Sequence, residues 1–182
     1  WMLSKIFDSN GNSLQFFYTQ QPQDSSGNSL SGTSVGAVYP SRIDYTANSS
    51  AQTAVVAKRS VQFYYQARPD IETTYQGGAQ FTRSARLAGI NTCISEQDIS
   101  DKLCSDVTTV MQYQLQYCDT SNDCQSAFQS TTGRSVLSSV QQCGEQGQCY
   151  SASTFDWQAG ENTLQNINAG SSAIANAKAS CA

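Results

Sequence analysis

The stretch TGRSVLSSVQQCGEQGQCYSASTFDW, residues 132–157, predicts a β-hairpin closed by a polar loop. On its first arm, successive side chains from Val136 to Val140 alternate between the two faces of a strand. On its second arm, Phe155 and Trp157 are two residues apart, so both rings face one side of a strand. The loop between the arms holds two glycines, which tolerate the positive φ of a tight turn. The stretch therefore predicts two antiparallel strands.

Two cysteines, Cys143 and Cys149, flank the five residues of this loop. Cysteines at the mouth of a hairpin loop can come within bonding distance of each other. A zinc site would normally use Cys-x₂-Cys pairs or histidine ligands. The chain contains no histidine, so the spacing favours a disulfide-stapled hairpin over a metal site.

The other cysteines repeat this arrangement in the second half of the chain. The predicted nearest-neighbour disulfides are Cys93–Cys104, Cys118–Cys124 and Cys143–Cys149. Six cysteines allow fifteen connectivities, and the short polar segment inside each pair favours this one without proving it. Cys181 is left over and is the candidate for a bond to another chain. Because such bonds persist in oxidising compartments, we expect a secreted or extracellular protein.

The composition points the same way. Charged residues are 13% of the chain, against about 25% in average proteins, and the difference is made up by Ser, Thr, Gln, Asn and Gly. This is typical of extracellular β-proteins. The net charge of −4 argues against nucleic-acid partners, and no apolar run approaches the roughly 20 residues of a membrane-spanning helix. The chain begins with Trp1 and no signal peptide, so we expect a mature fragment or an excised domain.

Along the first half, turn signals separate apolar alternating segments. Asn10-Gly11 is a strong hairpin signal between residues 1–7 and 13–19. Residues 20–37 are rich in Gly and Ser and are expected to form a long polar loop. The longest predicted strand covers residues 55–66 and is expected to end at Arg68-Pro69, because proline cannot donate to a strand ladder.

The second half continues the meander after a Gly77-Gly78 turn. Residues 94–107 form a cysteine-flanked insertion, in which a short helix is expected over 96–103. Residues 110–117 alternate as a strand, and residues 161–182 are expected to be a weakly structured tail or a linker to a following domain. The sequence thus predicts an all-β antiparallel meander of hairpins that forms a curled sheet, with at most one short helix.

Three strings of residues occur in order along this meander. They are W-x-L-x-x-I-x-D-x-x-G-N-S-x-x-F-x-Y from Trp1, V-x-F-x-Y-x-x-R-P-D-x-x-x-x-Y-x-G-G from Val61, and G-R-S-x-L-x-S-V-x-x-C-x-x-x-G-x-C followed by T-F-x-W from Gly133. Together they resemble the SpvB-like region of toxin-complex B subunits and related Rhs (YD-repeat) proteins. The resemblance covers residues 1–160, and the insertion at 94–107 departs from it.

The resemblance implies a function without chemistry of its own. In that family, such strands build a long curling sheet that leads into a β-propeller and forms part of a shell around a toxic C-terminal domain. The expected partners are therefore flanking segments of the same polypeptide, namely the propeller and the shell, or neighbouring copies that join through strand edges.

The residues themselves suggest no catalytic constellation. Without histidine there is no Ser-His-Asp or Cys-His pair and no imidazole base. The aspartates lie in turns or alternate outward, as turn-capping residues do. Glu96, Asp98 and Asp101 are candidate calcium ligands, but they lack the Asp-x-Asp-x-Asp-Gly spacing. We therefore expect a protein that is not an enzyme and that uses no cofactor and no metal.

Aromatic strands leave a second function open. The aromatic residues of these strands could form a sugar-binding platform, or they could be the covered faces of one sheet. They are Phe16, Phe17, Tyr18, Phe63, Tyr64, Tyr65, Tyr113 and Tyr117. Aromatic residues on both faces of a strand favour packing. The alternative to the structural module is thus an extracellular adhesion or carbohydrate-binding β-domain.

Overall fold

The computed structural model describes residues 2–32, 34–118 and 133–157. Within them the chain forms eight strands and a 3-10 helix at Cys104–Asp106. The strands are β1 (Lys5–Phe7), β2 (Asn12–Thr19), β3 (Tyr39–Asn48), β4 (Arg59–Gln76), β5 (Ala79–Ile94), β6 (Thr108–Cys118), β7 (Val136–Gly144) and β8 (Ser153–Thr154).

All eight strands belong to one antiparallel sheet, and each pairs with its neighbours in sequence. The sheet is open, with β1 at one edge and β8 at the other. The predicted all-β antiparallel meander is confirmed. The predicted turns are present as well: Gly11, Gly77 and Gly78 all have positive φ between paired strands.

The predicted end of the longest strand at Pro69 is wrong. β4 continues to Gln76, because the register moves from Ala67 opposite Ala85 to Glu72 opposite Arg83. The residues between Ala67 and Glu72 bulge out of the ladder, so the missing N–H of Pro69 costs no hydrogen bond. The strand thus bends at the proline and resumes after it.

The short helix expected over residues 96–103 is also wrong. The backbone N–H of Ile99 donates to Ala57 O at 2.9 Å, and the Asp98 carboxylate accepts the N–H of Ser100 at 3.0 Å. These donors are therefore not available for helical bonds. The insertion instead forms turns that bury Ile99 completely, and it ends in the 3-10 helix.

The core consists of two clusters. Tyr39, Tyr65 and Ala85 form the first, against which Leu30 and other partly buried side chains pack. Cys93, Ile99 and Cys104 form the second. Alternation along β4 places Tyr65 on one face and Ser60, the partner of Cys93, on the other. The central strands are therefore covered on both faces by chain segments outside the sheet.

The polar loop at residues 20–37 supplies one of these covers. Gln23 O accepts the N–H of Tyr65 at 2.8 Å, and Val35 exchanges two backbone hydrogen bonds with Thr82. Leu30 packs on the first core cluster. The polar composition of residues 20–37 thus reflects a turn-rich segment that is hydrogen-bonded to the sheet at several points.

Two loops use the same turn. In DSNGNS, starting at Asp8, the N–H of Gly11 donates to Asp8 O, and the Asp8 carboxylate accepts from the backbone and side chain of Asn12. In DSSGNS, starting at Asp24, Gly27 and Asn28 make the same bonds. The carboxylate in each turn is thus already engaged by N–H donors.

No helix among the described residues is long and apolar enough to cross a membrane.

Candidate functional site

The bulge of β4 brings Arg68 and Asp70 against the segment that leads into β7. Arg68 Nη2 lies 2.7 Å from Asp70 Oδ2, and the backbone N–H of Ser135 donates to the same oxygen at 2.8 Å. The Ser135 hydroxyl donates to Asp70 Oδ1. These contacts join two parts of the chain that are 65 residues apart. We call Arg68, Asp70, Arg86 and Ser135 the clamp.

Arg86 completes the clamp from β5. Its Nη1 donates to Ser135 Oγ at 2.6 Å, and its guanidinium lies 4.6 Å from the centroid of the Tyr117 ring. Burial alone would raise the pKa of Asp70, but the bonds from Arg68 and Ser135 hold it well below its usual value. The carboxylate of Asp70 is therefore ionised at neutral pH and shared by several donors.

A more exposed charged layer borders the clamp. Arg83 Nη1 lies 3.6 Å from Glu72 Oε2, and Arg134 Nη2 lies 3.5 Å from Glu72 Oε1. The two arginine side chains are 65% and 69% exposed. We call these three residues the rim. Their contacts are long and solvated, so they contribute little to stability.

The clamp is not predicted from the sequence, where Asp70 is interpreted as a turn-capping residue. Two of the three strings meet here, since R-P-D supplies Arg68 and Asp70 and G-R-S supplies Ser135. The sequence feature that could have indicated the clamp is Arg68-Pro69-Asp70, in which two opposite charges flank a proline inside a strand. Sequence spacing alone cannot identify Ser135 as the partner of Asp70, because the contact between them depends on how the intervening strands pair.

A second buried carboxylate lies near the insertion. Asp44 is 3% exposed; the Ser60 hydroxyl donates to its Oδ1 at 2.8 Å, and Arg42 Nε lies 3.0 Å from its Oδ2. Burial raises the pKa of Asp44, and the Ser60 bond and the Arg42 charge only partly oppose this. The Arg42 guanidinium also lies 4.1 Å from the centroid of the Phe17 ring. This pair therefore fixes β3 against β2 and β4.

A cleft of about 270 Å³ opens beside this pair, with Arg42, Gln62, Tyr64 and Lys102 among its lining residues. Gln62 is bonded at both ends of its amide, because its Nε2 donates to Lys102 O and its Oε1 accepts from Tyr64 Oη and the N–H of Cys104. Gln62 of β4 thus anchors the insertion to that strand through Lys102 and Cys104.

Two of the predicted disulfides lie within the described residues. The Cα atoms of Cys93 and Cys104 are 5.4 Å apart, and those of Cys143 and Cys149 are 3.9 Å apart; both pairs are bonded. Cys118 is buried at the end of β6. Its predicted partner Cys124 and the remaining Cys181 lie outside the described residues, as does the tail at 161–182.

Of the three candidate calcium ligands, one accepts hydrogen bonds within its own turn and the other two are exposed. Asp98 accepts from the backbone N–H and the hydroxyl of Ser100, while Glu96 and Asp101 are exposed. Among residues 2–32, 34–118 and 133–157, no group of three or more His, Cys, Asp or Glu side chains could hold a metal ion.

The aromatic residues divide into covered and exposed sets. Tyr64 and Tyr65 are buried, and Tyr65 meets the Tyr39 ring edge-on at 5.2 Å between centroids. Burial raises the pKa of Tyr65 to about 12. The strongly exposed rings are elsewhere, at Phe7, Tyr75, Tyr150, Phe155 and Trp157. Tyr64 and Tyr65 are thus packing residues, whereas Phe16, Phe17, Tyr18, Phe63, Tyr113 and Tyr117 are half-buried.

These features define an open antiparallel β-meander with an arginine-rich surface at the β4 bulge. No protein-family model matches the chain, and no curated protein matches it in sequence. Among solved structures, it is similar to the N-terminal domain of effector protein SpvB from Salmonella typhimurium strain LT2, with a TM-score of 0.48 and 13% identity. The alignment covers 87% of this chain and 51% of that one, so the chain spans about half of that structure's length.

Proposed function

We propose that this chain is a non-enzymatic structural β-module of a secreted Rhs/toxin-complex-like protein. In this proposal the sheet is part of a shell or scaffold that encloses or presents a toxin domain. The three ordered strings support the family, and the two disulfides suit an oxidising, extracellular location. The observation that carries the proposal is the open sheet with apolar side chains at both edges.

At the first edge, β1 is three residues long, and its outer backbone has no partner strand within the described ranges. Ile6 and Phe7 on this strand, and Met2 and Leu3 before it, are all more than two-fifths exposed. Unpaired edges with apolar side chains recruit further strands. This edge therefore suits a preceding segment of the same polypeptide or a neighbouring copy.

At the second edge, β8 pairs with only Ser139 and Val140 of β7. Phe155 and Trp157 directly after it are 42% and 50% exposed. A following strand or domain would cover these rings. Both ends of the sheet thus fit a module within a longer sheet, in which neighbouring segments continue the ladder.

Sedimentation velocity of the 182-residue chain tests the proposal. We expect the wild-type chain to self-associate at micromolar concentration through its edges. The Ile6→Lys variant should be more monomeric, because a lysine on an edge strand opposes pairing. Ile71→Lys is the matched control, since Ile71 is 60% exposed in the β4 bulge and away from both edges.

A wild-type chain that stays monomeric throughout the micromolar range would contradict the proposal. Equal effects of Ile6→Lys and Ile71→Lys would also contradict it, because association would then depend on general surface hydrophobicity. Slow hydrogen exchange at β1 and β8 in a longer polypeptide that contains this chain, with fast exchange in the isolated chain at dilutions where it is monomeric, would locate the covering segments directly.

A carbohydrate-binding β-domain is the second candidate, and Trp157 favours it. Its indole Nε1 donates to Leu137 O at 2.6 Å while half of the side chain remains exposed. A ring fixed in this way can stack on a sugar face. A glycan-array signal that disappears in Trp157→Ala and survives in Tyr75→Ala would support this candidate over the scaffold.

A further inference from the structure

The cleft beside Arg42 lies where β3 and β4 separate. The two strands pair at only four positions, and their ladder ends at Arg42 opposite Gln62. Residues of both strands line the cleft, together with Gln23 of the polar loop and Lys102 of the insertion. Its volume of about 270 Å³ is below the roughly 300–1,000 Å³ of pockets for drug-sized ligands. The cleft therefore suits one small group and not an extended chain.

Part of the cleft wall is already bonded within the fold. Gln62 is bonded at both ends of its amide, and one of its partners is the hydroxyl of Tyr64. The Tyr65 hydroxyl donates to Pro40 O at 2.7 Å. These bonds hold the wall in place, so recognition of a ligand falls to the other lining side chains.

Four polar side chains of the wall keep unused hydrogen-bonding groups. Among the described residues, no hydrogen bond is made by the Lys102 ammonium, the Ser41 hydroxyl, the Gln23 side-chain amide or the two terminal amino groups of Arg42. Most of these groups are donors. A ligand that fits the cleft must therefore bring several oxygen acceptors.

Arg42 is held in position for such a contact. Its Nε lies 3.0 Å from Asp44 Oδ2, and its guanidinium lies 4.1 Å from the centroid of the Phe17 ring. Because these two contacts already fix the side chain, little of its conformational freedom is lost when its terminal amino groups meet a ligand.

The charges around the cleft are nearly balanced. Arg42 and Lys102 are the cations of the wall. Asp44 pairs with Arg42, and burial raises the pKa of Asp44, to which the nearby charges of Asp98 and Asp101 add. The two cations oppose a positively charged ligand, and the three carboxyl groups oppose a negatively charged one. The cleft is therefore suited to a neutral ligand, whose binding the net charge of −4 does not oppose.

We propose that this cleft binds the terminal hexose of a neutral glycan. Sugar hydroxyls are uncharged, accept hydrogen bonds from Lys102 and Arg42, and also donate to the Ser41 hydroxyl. The CH groups of the sugar ring meet Phe63 and Leu103, which are apolar side chains of the wall.

This site is distinct from the features that carry the two candidate functions. The cleft lies at β3 and β4, whereas the sheet edges are β1 and β8, and Trp157 follows β8. The proposal therefore depends neither on the shell nor on the ring of Trp157.

Saturation-transfer difference NMR on the 182-residue chain tests this inference, with the methyl glycosides of glucose, galactose and mannose as probes. We expect at least one of them to bind with a dissociation constant in the millimolar range, as is usual for a ligand of this size. Lys102→Met removes the ammonium and keeps both the unbranched stem and the carbonyl that Gln62 binds. It should weaken binding by about tenfold, because a charged donor is lost.

A second variant and two controls accompany this measurement. Ser41→Ala removes a single hydroxyl and should weaken binding by about fivefold. Lys58→Met makes the same change as Lys102→Met at an exposed lysine outside the cleft, and it should stay within about twofold of the wild type. Trp157→Ala should also leave binding unchanged.

Four outcomes would overturn the proposal. One is no saturation transfer to any of the three glycosides at millimolar concentration. The second is an equal loss in Lys58→Met and Lys102→Met, which would show dependence on net charge alone. The third is a loss in Trp157→Ala with none in Lys102→Met or Ser41→Ala, which would place the sugar on the exposed ring. The fourth is a methyl glucuronide that binds at least tenfold more tightly than methyl glucoside, which would assign the cleft to an anion.

Discussion

At the scale of single residues, the pKa values of the buried carboxylates Asp44 and Asp70 shift in opposite directions. Their side chains are 3% and 9% exposed. Asp70 accepts hydrogen bonds from Arg68 and Ser135, and its pKa falls. Asp44 has one hydroxyl donor and one ion-pair partner, and burial raises its pKa. The number of hydrogen-bond donors around each carboxyl group therefore decides whether the fold favours its ionised or its protonated form.

The first prediction concerns Asp70→Asn. An amide cannot accept from all four donor atoms of Arg68 and Ser135, and its own NH2 would face some of them, so we expect a loss of about 2 kcal/mol of unfolding free energy. The measurement is urea denaturation at pH 7. Asp101→Asn is the control at an exposed carboxylate and should change stability by no more than about 0.5 kcal/mol.

The pH dependence of Asp70 follows from its lowered pKa. Its stabilisation is fully present above the unfolded-state value of 3.8 and is lost as pH falls from there through the folded value. The stability difference between the wild type and Asp70→Asn should therefore shrink in acid. A difference that stays constant from pH 7 to pH 3 would contradict this.

The second prediction is the reverse dependence for Asp44. Because its folded pKa is raised, its favourable contribution is full below 3.8 and declines as pH rises through the folded value. Relative to the wild type, Asp44→Asn should gain stability between pH 4 and pH 7, while the amide oxygen of the variant would still accept the Ser60 hydroxyl. Urea midpoints at three pH values measure this, and a relative loss with rising pH would refute it.

Sequence patterns predict neither carboxylate environment. Both Asp44 and Asp70 follow an arginine by two residues, a spacing that looks like outward-facing alternation on a strand. Their hydrogen-bond partners Ser60 and Ser135 lie 16 and 65 residues away. Such partners are set by strand register, which local alternation does not specify.

At the scale of elements, one turn recurs at three places. The loop of the Cys143–Cys149 hairpin repeats the backbone bonds of the Asp8 and Asp24 turns: Gly147 N donates to Gly144 O, and Gly144 N donates to Gln148 O. Like the glycines of the other two turns, Gly147 has a positive φ. The third turn differs in having glycine where the others have aspartate.

The third prediction is a transplant of this turn. Gly144→Asp with Gln148→Asn should supply the missing carboxylate and amide, and we expect a gain of about 0.5–1 kcal/mol. A Cβ at Gly144 has room, since its nearest neighbour would be Gln148 O at 3.8 Å. Gly144→Ala is the control for the added Cβ alone. Urea denaturation measures both, and an equal gain in the control would show that the hydrogen bonds do not matter.

The fourth prediction separates the two disulfides. Cys93–Cys104 encloses the fully buried Ile99, whereas Cys143–Cys149 closes a loop that already has its own turn bonds. Each bond contributes about 2–3 kcal/mol through chain entropy. The Cys93→Ser/Cys104→Ser variant should lose more, because the insertion also detaches from β4. A larger drop in Tm for Cys143→Ser/Cys149→Ser would contradict this.

The turns and strands show which sequence signals are sufficient to predict local structure. Asn10-Gly11 and Gly77-Gly78 locate two hairpins because positive φ at a short connection is a local requirement. Pro69 misleads because a bulge removes the need for its N–H, and the helix at 96–103 fails because tertiary bonds to Ala57 and local bonds within the insertion compete with it. Local chemistry predicts the turns, and long-range pairing decides the exceptions.

At the scale of the whole molecule, stability should be graded across the sheet. β4 and β5 pair along fourteen positions, whereas β1 pairs at three positions and β8 at two. The two core clusters also lie around the central strands. The outer strands therefore have fewer contacts to lose on opening.

The fifth prediction is the order of hydrogen exchange. Amides of residues 60–65 in β4 should exchange slowest, and those of β1 and β8 should exchange fastest, at dilutions where the isolated chain is monomeric. Exchange followed by mass spectrometry at neutral pH measures this order. Uniform protection across the eight strands would show that the sheet opens only as one unit.

The sequential strand order also bears on how the chain is made. Each strand pairs with the strand synthesised before it, so a polypeptide that emerges amino end first can add one hairpin at a time. Both described disulfides join cysteines eleven or fewer residues apart. Each can therefore close before the next strand arrives, and the order of emergence itself limits mispairing.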